Sequence, residues 1–463
     1  MCGILGLYNI GFMNDTIKES IKKLSFRGRD GYGYFDMSSD KDMYIQKRRF
    51  SIENASFNLS KLMIFNTRAI PTTEWETGAG HDVKNQQPFE DKRFVVVHNG
   101  IIANDKELIK EYNLKPESKV DTAILPHLFS KVGVINGLKL LKGSYAILCY
   151  DKLANKFYAA KNFMPLRVWL GEKGFFFVSL QEMVEGMTEG GGIETKEVDT
   201  YTCYEISLNK DNYSFEVHSL YPKQRNRKVL VICSGGIDSV TTAFLYKYLG
   251  YEVELIHFTY GQAAQKAELF AVKKFGEILG CTPIIFEANS IFKPFQKVSK
   301  LLYQKEAREE DKMFDAESTY SYVPNRNAIF ANIAAGVAEM INCDTVSFGG
   351  QQMDSVYPDN NPGFVEGVDK SLKYSLNCGT NVKFTAPLIH LIKHEIVELG
   401  QKIGVPYEYI CSCYYPKLKN GKIIHCKKCG CCQFKHAAFK MVEERKSIED
   451  ANDFINKYVK RYI

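Results

Sequence analysis

Hydrophobic and polar positions divide this chain into two textures. Up to about residue 220 the apolar residues fall in short β-type runs: Ile4 to Tyr8, Lys61 to Phe65, Phe94 to His98, Tyr145 to Tyr150 and Phe175 to Val178. Turn residues separate them, and helical periodicity is confined to stretches near Asp15 to Leu24 and Asp121 to Phe129. The pattern predicts an α+β domain over 1–222. A polar, basic segment follows and reads as a linker over 223–228. From 229 to 463 the texture changes. Val229 to Cys233 is a continuous apolar strand, Val240 to Leu249 a helix ended by Gly250, and Glu252 to Phe258 a second strand. A helix over Ala328 to Met340 precedes a further strand near Thr345 to Gly349. Strands alternating with helices predict an α/β domain with a doubly wound parallel sheet.

Composition narrows the function classes. A chain of 463 residues exceeds one ordinary core, and 45% hydrophobic content suits packed domains. The net charge of +6 is compatible with anionic substrates, but too mild to argue nucleic-acid binding by itself. No apolar run approaches the roughly 18–20 residues of a membrane helix. The start, Met-Cys-Gly-Ile-Leu-Gly, lacks the positive n-region of a signal peptide. A cytoplasmic protein is the expectation. Its 13 cysteines then call for a reading other than disulfides, and six of them crowd into 411–432, which suggests metal.

Four features near the amino terminus suit thiol attack on an amide. Cys2 lies behind the initiator Met, Arg27-Gly-Arg-Asp-Gly31 closes a helix, Asn66-Thr-Arg68 follows one apolar strand, and His98-Asn-Gly100 follows another. A terminal Cys has its own α-amino group, of pKa about 7.7–8.0, as a nearby base. An Asn side chain and a Gly N–H can stabilise the tetrahedral oxyanion. An Arg can hold the carboxylate of free glutamine and an acid its ammonium. Together these motifs resemble class II (N-terminal nucleophile) glutamine amidotransferases, which implies an Ntn-hydrolase-like αββα fold. Carried over by motif, Cys2 is the nucleophile, Asn99 and Gly100 the oxyanion hole, Arg68 the carboxylate ligand and Asp121 the ammonium ligand. Asn66 stands where many members have His, and Arg29 where Pro or Tyr is common.

The run Val231-Ile-Cys-Ser-Gly-Gly-Ile-Asp-Ser239 joins a buried strand to a helix. Two glycines let backbone approach an anion, and the helix N-terminus aims N–H groups at it. Ser234, Gly235, Gly236 and Ser239 are the expected ATP contacts, with Asp238 able to hold magnesium. The Walker pattern G-x-x-x-x-G-K-[ST] is absent. The loop resembles the PP-loop of ATP pyrophosphatases, which adenylate an acceptor.

Further motifs bear on the acceptor: Tyr260-Gly-Gln262, Tyr322-Val-Pro-Asn-Arg-Asn327, Asp354-Ser-Val-Tyr-Pro-Asp359, Lys393-His-Glu-Ile396, and Cys413-x(12)-Cys426-x(2)-Cys429-x(2)-Cys432. This set is similar to QueC-type cyano-deazaguanine synthases over nearly all of 228–440. Asparagine synthetases share the two-domain layout but lack these motifs. The resemblance implies a 7-deazaguanine carboxylate that is adenylated, amidated by ammonia and dehydrated to a nitrile. It places Arg326 on the phosphates or the adenylate, and Tyr260, Gln262, Asp354, Tyr357 and Asp359 at the purine-like substrate. Six cysteines compete for four positions, and the family spacing selects Cys413, Cys426, Cys429 and Cys432 as ligands of a structural Zn2+.

A glutaminase fused to such a domain has a second reading, addition of ammonia to a cyano-deazaguanine already in tRNA or DNA, giving an archaeosine-type amidine. Conjugation of a deazaguanine to a protein partner is a weaker one. Expected partners are glutamine, ATP with Mg2+ and a deazaguanine, with tRNA or DNA as the alternative acceptor. A homodimer is compatible with the sequence, and no membrane partner is expected.

Overall fold

A computed structural model describes residues 2–10, 15–39, 42–69, 82–182, 195–210, 212–221, 227–297, 299–303, 322–353, 357–376, 381–444 and 450–463. The chain forms two compact units, Met1–Pro222 and Lys223–Ile463.

In the first unit, β1 (Gly3–Tyr8), β2 (Gly31–Ser39), β3 (Asp42–Arg48) and β4 (Leu62–Arg68) belong to one sheet. β5 (Phe89–Glu90), β6 (Phe94–Ile102), β7 (Gly143–Asp151) and β8 (Lys156–Lys161) belong to another. β9 (Arg167–Leu170), β10 (Phe175–Val178) and β11 (Lys196–Glu197) complete the first, in the order β11-β9-β10-β1-β4-β2-β3. β12 (Thr202–Leu208) and β13 (Tyr213–Ser219) complete the second, in the order β13-β12-β8-β7-β6-β5. All pairings within both sheets are antiparallel.

Side-chain alternation explains the layering. Ile4 and Ile64 join Val95, Val97, Leu148 and Phe157 in one core between the sheets. Their neighbours Leu5, Leu7, Met63 and Phe65 face the other way, onto Ile21 and Leu24 of the Asp15–Lys22 helix and the turn after it. Phe94 and Val96 likewise pack under Leu125, Leu128 and Phe129 of the Ile124–Val132 helix. The result is helix, sheet, sheet, helix. Because both faces of each sheet are buried, the central strands read as continuous apolar runs rather than alternating ones.

The second unit holds a five-stranded parallel sheet in the order β16-β15-β14-β17-β18, formed by β14 (Lys228–Ile232), β15 (Glu252–Thr259), β16 (Ile284–Glu287), β17 (Thr345–Phe348) and β18 (Lys383–Thr385). Val229 and Val231 face the Ile237–Tyr248, Gln265–Leu279 and Lys393–Lys402 helices. Leu230 faces the Arg326–Met340 and Pro362–Ser375 helices. Strand order reverses at β14, with β15 on one side and β17 on the other, and such a switch point opens a crevice at the strands' carboxyl ends. Among the described residues no helix is long and apolar enough to cross a membrane.

Candidate active sites and metal cluster

In the first unit Cys2 immediately precedes β1, and the backbone holds it from two sides. Arg27 Nε donates to the Cys2 carbonyl at 2.9 Å. The Gly3 N–H donates to Thr67 Oγ1 at 3.2 Å, and that hydroxyl donates to the Leu24 carbonyl. A Cβ on Gly3 would come 2.7 Å from Thr67 Oγ1, so the residue after Cys2 has to be small. Gly28 is pressed on the end of β4, where a Cβ would meet the Arg68 backbone at 2.5 Å. Arg68 itself is buried and donates from Nη1 to the Asn85 carbonyl at 2.6 Å.

Asn99 and Gly100 lie inside β6, opposite Ala146 and Tyr145 of β7, where the sequence suggested the residues after a strand. Gly100 has φ +137, and a Cβ there would sit 1.9 Å from the Ser144 carbonyl oxygen. Only glycine fits. The Asn99 amide is fully buried with neither its nitrogen nor its oxygen hydrogen-bonded. Asp121 accepts the N–H groups of Ile102 and Thr122, at 2.8 and 2.7 Å. Burial pushes the Cys2 thiol up. The Ala69 N–H and the Arg68 charge pull it down, and Asp121 pushes it further up. Cys2, Arg68 and Asp121 are therefore within electrostatic reach of one another. Because burial disfavours the thiolate, attack on an amide needs a base beside it.

In the second unit the loop after β14 closes on itself. The Ser234 N–H donates to Ser239 Oγ at 3.3 Å, the Gly236 N–H to Ser234 Oγ at 3.4 Å, and the Ser239 hydroxyl to the Gly236 carbonyl at 3.2 Å. Gly235 has φ +77 and lies against Ala271, leaving no room for a Cβ. Gly236 caps the Ile237–Tyr248 helix without a side chain. Ser412 supplies the missing acceptor, taking the Ile237 N–H on its Oγ at 3.0 Å, while the Cys411 N–H donates to the Gly235 carbonyl at 2.8 Å. Asp238, expected at magnesium, instead has both carboxylate oxygens on Lys393 Nζ, at 2.8 and 2.5 Å.

The loop opens on a cavity whose lining includes Ser234, Gly236, Asp238, Ser239, Tyr260, Gln262 and Arg326, so most of the expected ATP and substrate contacts converge. Arg326 Nη1 donates to Tyr260 Oη at 3.4 Å. Gln262 is committed internally: its oxygen accepts the Tyr260 N–H, and its nitrogen donates to the Phe258 carbonyl and to Glu268. Tyr357 and Asp359 are not among the lining residues. Tyr357 stacks on Tyr322, ring centroids 6.2 Å apart and nearly parallel. Asp359 accepts the Asn327 N–H at 2.8 Å and so caps the Arg326–Met340 helix. Asp354 lies outside the described residues. Glu268 and His257 are among the lining residues that sequence did not single out. Glu268 lies in the first turn of its helix, and burial pushes its carboxyl up to about 7. His257 is fixed from Nδ1 on the Cys233 carbonyl at 2.9 Å, with Nε2 buried and without a hydrogen-bond partner.

The Sγ atoms of Cys413, Cys426, Cys429 and Cys432 all lie within 4.8 Å of one another. Cys426 and Cys432 are 3.9 Å apart and Cys429 and Cys413 4.0 Å, close to the edge of about 3.8 Å of a tetrahedron with metal–sulfur bonds of about 2.3 Å. The cluster could hold a metal ion. N–H groups of Cys426 and Cys429 donate to the sulfurs of Cys413 and Cys426. Cys411 and Cys431 stand outside the cluster and line the cavity.

Comparison with known proteins identifies the family. The family model described as "Queuosine biosynthesis protein QueC" matches residues 228–443, and a glutamine amidotransferase domain matches 79–185. The 7-cyano-7-deazaguanine synthase 2 of Sulfurisphaera tokodaii is 33% identical over 95% of this chain and 98% of its own. The 7-cyano-7-deazaguanine synthase of Saccharolobus solfataricus is 31% identical over 95% and 97%. That of Methanocaldococcus jannaschii is 36% identical over 49% of this chain and 99% of its own. This chain belongs to the 7-cyano-7-deazaguanine synthase family, as a glutamine amidotransferase domain followed by a QueC-type PP-loop domain.

Proposed function

We propose that the chain is a glutamine-hydrolysing, ATP-dependent C–N ligase that converts a 7-carboxy-7-deazaguanine to its amide and then its nitrile. The carrying observation is the closed Ser234–Ser239 loop at the sheet's switch point, opening on a cavity with Arg326 and Lys393. Cys2 attacks the glutamine amide, with Arg68 and Asp121 holding the amino-acid end and Asn99 and the Gly100 N–H receiving the oxyanion. In the second unit the loop N–H groups and the serines hold the phosphates, and the Arg326 guanidinium offsets charge at the adenylate. Magnesium bound with ATP would add counter-charge at the phosphates. Zinc on the four cysteines would supply a structural cross-link with no open position. Its consequence for chemistry runs through Ser412 and Cys411, which the adjoining cysteines pin onto the phosphate loop.

One observation favours the second reading, ammonia addition to a cyano-deazaguanine in tRNA or DNA. Lys417, Lys419, Lys422, Lys427 and Lys428 are all exposed on the hairpin and turn of the cysteine cluster, with no acidic residue among positions 417–428. Such a patch suits a polyanion.

The test supplies glutamine and ATP with free carboxy-deazaguanine, free cyano-deazaguanine, or tRNA and DNA carrying the cyano base, and follows product mass and pyrophosphate. Amide and nitrile from the free carboxylate, with pyrophosphate release, are expected. Amidine formed only in the polymer, without ATP turnover, would overturn the first reading in favour of the second.

A further inference from the structure

We propose that Glu268 is the proton acceptor for the reacting nitrogen, both when ammonia attacks the adenylate and when the amide is dehydrated. This rests on the carboxylate-to-nitrile reading above.

The carboxylate is built into the cavity rather than left on a surface. It projects from the first turn of the Gln265–Leu279 helix, and Gln262 Nε2 donates to Oε2 at 2.8 Å, fixing one oxygen. Gln262 is in turn fixed by the Tyr260 N–H and the Phe258 carbonyl, so the support is rigid. The helix packs against the phosphate loop, the Glu268 carbonyl lying 3.5 Å from where a Cβ on Gly235 would be. Arg326 from its helix, Tyr260 after β15, Cys233 from the loop and Cys411 from the segment ahead of the cluster interact electrostatically with Glu268, and His257 and Lys435 line the same cavity. Asp238, the other carboxylate at the loop, is neutralised by Lys393. Burial raises the Glu268 carboxyl, against the Gln262 hydrogen bond and the Arg326 charge, to about 7. A base so placed matches neutral operating pH.

The steps balance. The ammonia lone pair forms the C–N bond, one nitrogen proton passes to Glu268, and the C–O bond to AMP breaks with its electron pair on the phosphate oxygen. In the second step the amide oxygen displaces pyrophosphate from ATP. Glu268 takes one proton from the nitrogen and solvent a second. The C–O bond breaks toward AMP as the nitrile forms.

The dehydration half-reaction provides the test, because it starts from the amide and is free of ammonia's own titration. Steady-state nitrile formation is followed between pH 5.5 and 9 for the wild type, Glu268→Gln and Gln262→Leu. Acceptor-driven exchange of pyrophosphate into ATP reports adenylation separately. Expected are exchange within about twofold of wild type in Glu268→Gln and kcat lower by roughly 10²-fold. The acid limb near pH 7 should disappear in Glu268→Gln and move to higher pH in Gln262→Leu, which lacks the hydrogen bond favouring the charged form. Glu268→Gln with wild-type kcat and an unchanged limb overturns the inference, as does an exchange rate that falls as far as nitrile formation. Those outcomes leave the proposed function standing. A wild-type enzyme that makes neither amide nor nitrile sinks both.

Discussion

The ammonium of Lys393 reaches both carboxylate oxygens of Asp238, at 2.5 and 2.8 Å, beside the phosphate loop. Each side chain is under a fifth exposed, so the pair is screened less than a surface bridge. Lys393→Met leaves the Asp238 charge uncompensated. Expected are a loss of about 1–3 kcal/mol of second-unit stability, between the surface and buried ranges, and a raised KM for ATP. Chemical denaturation and pyrophosphate release check this, and the Asp238→Asn/Lys393→Met pair should recover part of the stability.

Gly100 offers a sharper steric test. Gly100→Ala places a methyl on a backbone with φ +137, 1.9 Å from the Ser144 carbonyl oxygen. Glutamine hydrolysis should fall at least about 10²-fold, the range for losing one oxyanion donor. Asn99→Ala should give a similar loss, since its amide has no other partner to keep. Glutamate release measures both, while ammonium-driven product formation should remain.

Removal of one thiolate tests the cysteine cluster. Cys429→Ser should lower bound zinc from about one ion per chain to near none and lower the second unit's melting temperature. Cys431→Ser, outside the cluster, should retain the metal. Because Ser412 and Cys411 tie this segment to the phosphate loop, the Cys429→Ser variant should also bind ATP more weakly. Metal analysis and calorimetry give the readouts.

Stability should carry the signature of Glu268. Its folded pKa, raised to about 7, exceeds the ordinary glutamate value, so the native state keeps a proton that the unfolded chain has lost. Its contribution is fully present below about pH 4.3 and is lost as pH rises through about 7. Wild type should therefore lose stability relative to Glu268→Gln between about pH 4.5 and 7.5, read from denaturation midpoints.

The strands were legible because burial on both sheet faces left continuous apolar runs, as in Val229 to Val231, while the αββα layering of the first unit came from the resemblance. The crowding of six cysteines into 411–432 pointed to metal, and the resemblance, not the spacing alone, picked out Cys413, Cys426, Cys429 and Cys432, which the fold brings together. Side-chain commitments were not legible. Gln262 reads from the sequence as a substrate contact, but its amide is used by Tyr260, Phe258 and Glu268. Asp359 looks like a substrate ligand, but its carboxylate caps a helix that begins 33 positions earlier in the chain, at Arg326. Asn99 and Gly100 read as residues that follow a strand, whereas β6 continues through them because glycine tolerates the close Ser144 carbonyl. Glu268 is one of 54 acidic residues, and only the cavity distinguishes it.

Glutamine, cleaved at Cys2, supplies the nitrogen of the deazaguanine product. Glutamine labelled with 15N in its amide, ATP and carboxy-deazaguanine would be given to the wild type and Cys2→Ala, and the product mass read. One 15N is expected in the wild-type product and none from Cys2→Ala, which unlabelled ammonium should restore to activity. Unlabelled product from the wild type, or labelled product from Cys2→Ala, would contradict it.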